Sequence, residues 1–345
     1  CRAGRAPRRP GVRVVTPPAE ATERSPPPSL DELRAWLDRV RDQARAARAR
    51  PEPYRRREEG RAEAPEVTVS MPARNAEAFV GEAVTSVLAQ SGVALELIVV
   101  DDASEDGTAA AALAVADARV EIVRLAERGG IGAAHNLVTA RARGRFVVHV
   151  DADDVVVPGG LAAAVAPLRG DPSVAQTYSD FFDIDAAGRI ETAAYRAQLA
   201  RFDRRHRAEV PLRRELLVHG MVANHLRAYR RVAAVAVGGF DVSLAHGEDW
   251  AMALALADRY DVVATGGWHY ARRIHDANTS VGPEMTPLRL WRDHVPVLRR
   301  MLAARGGRLC GYGRFEVGAL TALRWAHASG VIPVLKRVTR PLRAR

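Results

Sequence analysis

Residues 129–160, GGIGAAHNLVTARARGRFVVHVDADDVVVPGG, decide the fold. A glycine-rich turn leads into a helical stretch, and the chain then rises through the apolar run Phe146-Val147-Val148-His149-Val150 to Asp151-Ala152-Asp153-Asp154. A strand that stops on closely spaced carboxylates sets them at the carboxyl edge of a sheet, where open α/β folds bind ligands. Three acids within four residues repel one another unless a cation sits among them. Oxygen donors suit a hard divalent ion such as Mg²⁺ or Mn²⁺, and such an ion would hold the phosphates of a nucleotide. Acid-rich strand ends are also ordinary turns and helix N-caps, so the flanking segments decide between the two readings.

Upstream, Val67-Thr68-Val69-Ser70-Met71 reads as a short buried strand closed by Pro72. A helix follows, with Phe79, Val80, Ala83, Val84, Val87 and Leu88 on one face. Leu95 to Val100 is a second strand, ending on Asp101-Asp102. Asp106-Gly107-Thr108 opens an alanine-rich helix, Arg119 to Leu125 is a third strand, Gly129 to Ala142 a helix and Arg145 to Val150 a fourth strand. Strands alternating with helices imply parallel βαβ units, and both carboxylate pairs fall at strand ends. That is the pattern of a nucleotide-binding half-domain.

The segments VSMPARNAEAFVGEAVTSVLAQ, LIVVDDASEDGT, GGIGAAHN and GRFVVHVDADDVVVPGGL follow one another in the order of family 2 glycosyltransferases, which the chain resembles over roughly residues 66–280. The resemblance implies an α/β fold of GT-A type, with a Rossmann-like βαβ half joined to a mixed-sheet acceptor half. It implies inverting transfer from a nucleotide-sugar donor, a UDP-sugar first, with Mn²⁺ or Mg²⁺ as cofactor. The acceptor would be a glycan, a lipid-linked sugar or a small molecule, as in cell-surface polysaccharide synthesis. By the same resemblance Pro72, Ala73 and Asn75 line the nucleotide pocket, and Asp102, with Asp101 beside it, meets the base or ribose. Gly130 and Asn136 lie at the glycine-rich helix. Asp151 and Asp153 form the D-x-D pair, with Asp153 the direct metal contact, and Asp154 is structural. One departure stands out: His135 precedes Asn136 where the family usually has Arg, and Val138 replaces a glycine.

Beyond Gly160, Val174 to Ile184 followed by Asp185-Ala186-Ala187-Gly188-Arg189 reads as a β-hairpin; its Asp180 and Asp183 either face solvent, the favoured reading, or approach the donor sugar. Residues 191–222 are polar and helical and would shape the acceptor side. His246-Gly247-Glu248-Asp249-Trp250 opens an amphipathic helix over 248–258. The resemblance makes Asp249, with Glu248 beside it, the catalytic carboxylate, the general base that takes a proton from the acceptor hydroxyl. The two acids also complement a helix dipole, which for Glu248 is an equal reading. Trp268 to Ile274 is a late strand leading to His275-Asp276-Ala277-Asn278-Thr279-Ser280. There the resemblance offers His275 as a third metal ligand and Arg272 or Arg273 as the phosphate contact.

The 345 residues carry a net charge of +10, unevenly divided. Residues 1–64 hold 16 Arg and 10 acids (+6), residues 285–345 hold 13 basic and 2 acidic residues (+11), and the middle is therefore −7. An acidic middle argues against specific nucleic-acid binding, and the basic C-terminal tail offers peripheral contact with an anionic membrane or a partner. Lys336 is the only lysine, so base composition of the gene is the favoured explanation of the arginine excess. Two cysteines form no framework, and no apolar run reaches membrane-spanning length. The expected location is cytoplasmic, with attachment at the inner face of the membrane left open.

The expected organisation is a disordered Pro/Arg-rich arm (1–28), an amphipathic helix (29–50) and a linker (51–65). The nucleotide-binding half (66–160), the acceptor and catalytic half (161–283) and a basic helical extension (284–345) follow. Two other readings stand beside glycosyl transfer. One is a nucleotidyltransferase, and the other is a degenerate domain that binds polyanions or a partner through its Arg-rich tails.

Overall fold

The computed structural model describes residues 64–206, 212–222, 225–278 and 286–329, with isolated positions between 31 and 42. The expected arm, most of the linker and the last 16 residues lie outside the described residues. So does the leucine stripe of the N-terminal helix. At its described positions that helix is helical, and Arg34 donates to Thr192 Oγ1 at 2.9 Å.

The chain order is β1 (Val67–Ala73), α1 (Val80–Leu88), β2 (Leu95–Asp101), α2 (Thr108–Leu113), β3 (Val120–Arg124), α3 (Ile131–Arg141), β4 (Phe146–His149), β5 (Val155–Val156) and α4 (Gly160–Gly170). Then come β6 (Val174–Asp185), α5 (Thr192–His206), α6 (Leu212–Val218), β7 (His225–Arg230), α7 (Arg231–Ala236), α8 (Glu248–Ala257) and β8 (Asp261–Ile274). The described chain closes with α9 (Pro287–Ala304), the short strands β9 (Arg308–Leu309) and β10 (Tyr312–Gly313), and α10 (Arg314–Ala328). Eight strands make one mixed sheet in the order β3-β2-β1-β4-β7-β6-β8-β5.

Alternation along β1 explains the layering. Val67, Val69, Met71 and Ala73 point into the main core with Val80, Val84 and Val87 of α1 and Leu161, Val165 and Leu168 of α4. Thr68 and Ser70 point to the opposite face, where Ser70 Oγ lies 2.8 Å from His135 Nδ1 on α3. The first three strands progress outward from β1, and β4 then returns to the other side of β1, parallel to it. That reversal opens a crevice at the carboxyl ends of β1 and β4. The residues at its rim are Pro72 to Asn75 and Asp151 to Asp153.

The second half of the sheet corrects one expectation. The turn at 185–189 forms, with Asp185 Oδ1 accepting from Ala187 N and Arg189 N, but no returning strand follows it. Residues from Thr192 enter α5 instead. The 12-residue strand β6 pairs antiparallel with β7 and parallel with β8. The run after Ile190, TAAYRAQLARF, has helix formers at helical spacing and none of the β-branched alternation that a second hairpin strand needs. Asp183 is held by Arg272 at 2.8 Å.

The C-terminal extension is part of the fold. Leu216 and Leu217 of α6, Trp250 and Leu254 of α8, Val297 and Leu298 of α9 and Val317 of α10 form a second core. No described helix is long and apolar enough to cross a membrane.

Candidate active site

Asp102 lies at the end of β2 and is nearly buried. Its carboxylate accepts from two backbone amides, Gly129 N at 2.6 Å and Gly130 N at 2.9 Å. Gly130 has a φ of 84°, a conformation glycine adopts without strain, and this aims the paired amides at Asp102. The acid thus clamps the turn that opens α3. Asp101 caps its own turn through Ser104 N at 2.9 Å and faces Arg124 at 3.3 Å. Asn75 accepts from Glu105 N, and Arg74 donates to the carbonyl of Asp102 at 2.9 Å. The loops after β1 and β2 are therefore held together at the sheet edge. A shallow groove of about 450 Å³ opens beside them, lined by Ala103, Ser104, Arg124, Leu125 and Ala126.

The two family departures fall inside the protein. His135 is buried, stacked on His149 with ring centroids 3.5 Å apart, and burial pushes both imidazoles well below their usual range. Both rings are therefore neutral at neutral pH. Val138 packs with Ile98, Val100 and Ala134. Asn136 likewise turns away from the crevice. Its amide donates to Phe240 O at 2.9 Å and accepts from Phe240 N at 2.8 Å, tying α3 to the glycine loop 238–239. A Cβ on Gly239 would stand 2.6 Å from Asn136 Oδ1, which requires glycine there.

The acidic turn 151–154 is carried to the far half of the sheet by β5, which pairs Val155 with Ala271 and Val156 with Tyr270. Tyr270 Oη accepts from Asp151 N at 3.0 Å. Asp153 Oδ2 lies 3.0 Å from His275 Nε2 and 3.3 Å from Asn278 Nδ2. Asp154 is buried and accepts from Arg273 N at 2.7 Å. Arg273 is also buried, and its guanidinium meets Asp153 O, Ala186 O and Glu82 Oε2 at 2.8, 3.1 and 2.7 Å. With its donors so engaged it braces the end of β8 and does not reach into the crevice. Phe79 packs on His275 at 4.6 Å.

Donor chemistry fits a divalent ion here. Asp151, Asp153 and His275 are half-buried and open on the crevice side. Asp151, Asp154 and His225 also present ligand atoms within 4.8 Å of one another, although Asp154 is closed off and its Oδ1 is occupied by Arg273 N. Desolvation and the neighbouring carboxylates of Asp153 and Asp249 push Asp151 up to about 6, against the opposing pull of Arg227. A bound cation removes the cause of that strain.

Asp249 sits in the first turn of α8. Its Oδ2 accepts from Arg227 Nη1 at 2.8 Å, and its Oδ1 from Trp250 N at 2.6 Å. Arg227 lies in β7 and is 8% exposed. It acts electrostatically on Asp249, Asp151 and Glu248 together, so one buried cation joins the start of α8 to the acidic turn. Sequence reasoning missed Arg227 and Tyr270. Alternation in β7 puts His225, Arg227 and Tyr229 on one face, opposite Leu226 and Ala228, but which site that face meets depends on non-local strand pairing.

Glu248 is pushed up to about 7, first by burial and then by Asp249. A carboxyl raised this way holds its proton in the folded state while the unfolded chain releases it near pH 4.5. Folding stability therefore falls as pH rises from about 4.5 through 7. Glu248→Gln, assayed with chelator present, is expected to melt higher than wild type at pH 8, by up to about 3 kcal/mol, and to match it at pH 5. Identical melting curves for the two proteins at both pH values would refute the assignment.

The profile described as Glycosyl transferase family 2 matches residues 68–237. Among curated relatives, a succinoglycan biosynthesis protein, ExoO of Rhizobium meliloti (strain 1021), is 38% identical over 138 residues, 40% of this chain and 39% of that one. A chondroitin synthase of Escherichia coli is 26% identical over 223 residues, 63% of this chain and 30% of that one. The chain thus spans well under half the length of these relatives. Among solved structures, the mannosyltransferase PcManGT of Pyrobaculum calidifontis, in complex with GDP-Man and Mn²⁺, superposes with a TM-score of 0.57 at 20% identity, covering 91% of this chain and 87% of that one. TarS 1–349 of S. aureus, in complex with UDP-GlcNAc, gives 0.52 at 18% identity, covering 69% and 66%. Residues 68–237 are a glycosyl transferase family 2 domain, and the chain has the GT-A fold.

Proposed function

We propose that the chain transfers a sugar, with inversion, from a nucleoside diphosphate donor to an acceptor hydroxyl in glycan synthesis. The observation that carries this is the joining of two acidic centres by Arg227: Asp151 and Asp153 on one side, Asp249 on the other. The relatives' printed roles in polysaccharide synthesis and the nucleotide sugars bound by the structural neighbours support the same reading. A UDP-sugar is the first donor to test, and a glycan or lipid-linked saccharide the first acceptor.

In this reading the base stacks in the groove lined by Ala103, Ser104 and Arg124, beside the loop of Asp101 and Asp102. Asp151, Asp153 and His275 would hold a divalent ion, and the chemistry it would supply is neutralisation of charge on the diphosphate. Asp249 takes the proton from the acceptor hydroxyl as its oxygen attacks the anomeric carbon. The bond from that carbon to the diphosphate oxygen breaks with its electron pair, and the nucleoside diphosphate leaves. Arg227 holds the Asp249 carboxylate in one orientation, and Glu248, neutral below about pH 7, adds no second negative charge beside the acceptor.

The test is nucleoside diphosphate release from a panel of nucleotide sugars, with Mn²⁺ or with chelator, before any acceptor is added. One donor is expected to give metal-dependent release, reduced by about two orders of magnitude or more in Asp153→Asn. Pyrophosphate as the product would instead identify a nucleotidyltransferase. No donor bound by folded, metal-loaded protein would end the transferase reading.

A further inference from the structure

The surface of α10 turned away from the second core carries Phe315, Gly318, Ala319, Ala322 and Trp325, all exposed and spaced 3, 1, 3 and 3 residues apart. This spacing places them on one side of the helix along its whole length. Phe315 is 93% exposed and Trp325 42%, so an aromatic ring stands at each end of a smooth uncharged strip. The opposite side of α10 is buried: Val317 joins the second core and Arg324 lies over Trp250. Among the described residues the helix is thus anchored by one face and bare on the other.

Trp291 Nε1 donates to Thr321 O at 2.9 Å, which sets the second turn of α9 beside the middle of α10. Near that contact in α9, Leu288 is 44% exposed, and the side chain of Arg292 is 70% exposed. Arg314 flanks Phe315 at the other end. After Glu316 the sequence contains no acid to its last residue, whereas Arg324, Lys336, Arg337, Arg340, Arg343 and Arg345 follow. The apolar strip therefore belongs to the part of the chain with a charge of +11, in a protein whose middle is −7.

We propose that the exposed face of α10 docks on an anionic lipid bilayer, with Phe315 and Trp325 in the interface and Arg292 and Arg314 beside it meeting lipid phosphates. Exposed aromatics at both ends suit the headgroup boundary, and each basic residue near an anionic surface contributes attraction that salt screens. Two exposed aromatic rings on one helix face, with no charge between them, form an apolar strip of the kind that marks an interaction surface. An acidic partner protein would satisfy the arginines and leave the strip bare, while a second copy of this chain would bring like charges together. Docking is independent of the glycosyl-transfer reading, and its test uses no donor.

The full chain is mixed with vesicles of phosphatidylcholine alone, or with phosphatidylglycerol added, and separated by flotation. Wild type is expected to float only with the anionic vesicles and to be released by high salt. Phe315→Ser is expected to weaken flotation about tenfold, and Phe315→Ser with Trp325→Ser to abolish it. Unchanged melting of Phe315→Ser, whose ring touches little of the fold, keeps that result interpretable. Flotation that ignores both substitutions overturns the proposal, as does absence of flotation in folded wild type. Two further outcomes also overturn it: a dimer in light scattering that Phe315→Ser dissolves, and retention on duplex DNA without lipid binding.

Discussion

Asp249→Asn is expected to lower turnover by about three orders of magnitude while leaving donor binding within a few-fold of wild type. The amide keeps the shape and can still accept from Arg227, so the crevice retains its geometry, but it cannot take a proton from the acceptor. Its effect on stability should be smaller than the loss of a buried ion pair suggests. Arg227 would otherwise be left as a nearly buried cation with a partner removed, a change that costs several kcal/mol where nothing compensates. Glu248 is the compensating group, because Asp249 is one of the causes that keep it protonated. With that charge gone Glu248 ionises more readily and faces Arg227 in its place. The double variant Asp249→Asn, Glu248→Gln removes both and should melt clearly below either single variant. Turnover, donor titration and melting on the four proteins check this. Equal loss of donor binding and turnover in Asp249→Asn would place that residue in donor recognition and remove it from proton transfer.

Much of the candidate site was legible because it is local. Asp102, Asp151, Asp153 and Asp249 each follow a strand end or open a helix, and their position depends on an element only a few residues long. Arg227 and Tyr270 were not legible, because they reach the site only when β7 and β8 take their places beside β4 and β6. Those pairings join segments far apart in sequence, and no short-range spacing encodes them. The misread hairpin after Asp185 has the same origin. Its turn chemistry was sound, but the partners of β6 are non-local. His135 teaches the reverse lesson. A departure from the family pattern at a motif position reads as an altered contact with ligand, whereas the ring fills a buried stack with His149, backed by Ser70. Whether a motif residue faces the crevice or the core depends on which way the strand pleat turns, and that is settled by packing.

The second large effect is expected at Trp250, the residue that fixes where Asp249 stands. Its indole is fully buried and donates to Leu216 O at 2.8 Å. The ring of His294 from α9 stacks on it at 3.9 Å, 3° from parallel, and Arg324 of α10 lies over it at 5.3 Å. Arg324 donates to His294 Nδ1 at 2.7 Å, and burial with the nearby guanidinium pushes His294 down to about 3, so the imidazole is neutral. Gly247, just before the helix, has a φ of 83°, and a Cβ there would stand 2.1 Å from His294 Nε2. The backbone on one side of Asp249 is thus pressed against His294, and on the other side its carboxylate accepts from Trp250 N. Trp250→Ala removes the ring, the hydrogen bond to Leu216 and the stack together. The expected cost is about 3–5 kcal/mol, read as a melting point lower by roughly 10 °C for a chain of this size. Turnover should fall further than donor affinity does, because α8 carries the base while the acidic turn is held by β5 and β8. Trp250→Phe keeps a ring over His294 and loses the bond to Leu216, so it should recover more than half of both losses. Melting of Trp250→Ala within about 2 °C of wild type would mean that α9 and α10 merely cover the domain, and that Asp249 is positioned from the sheet side by Arg227 alone.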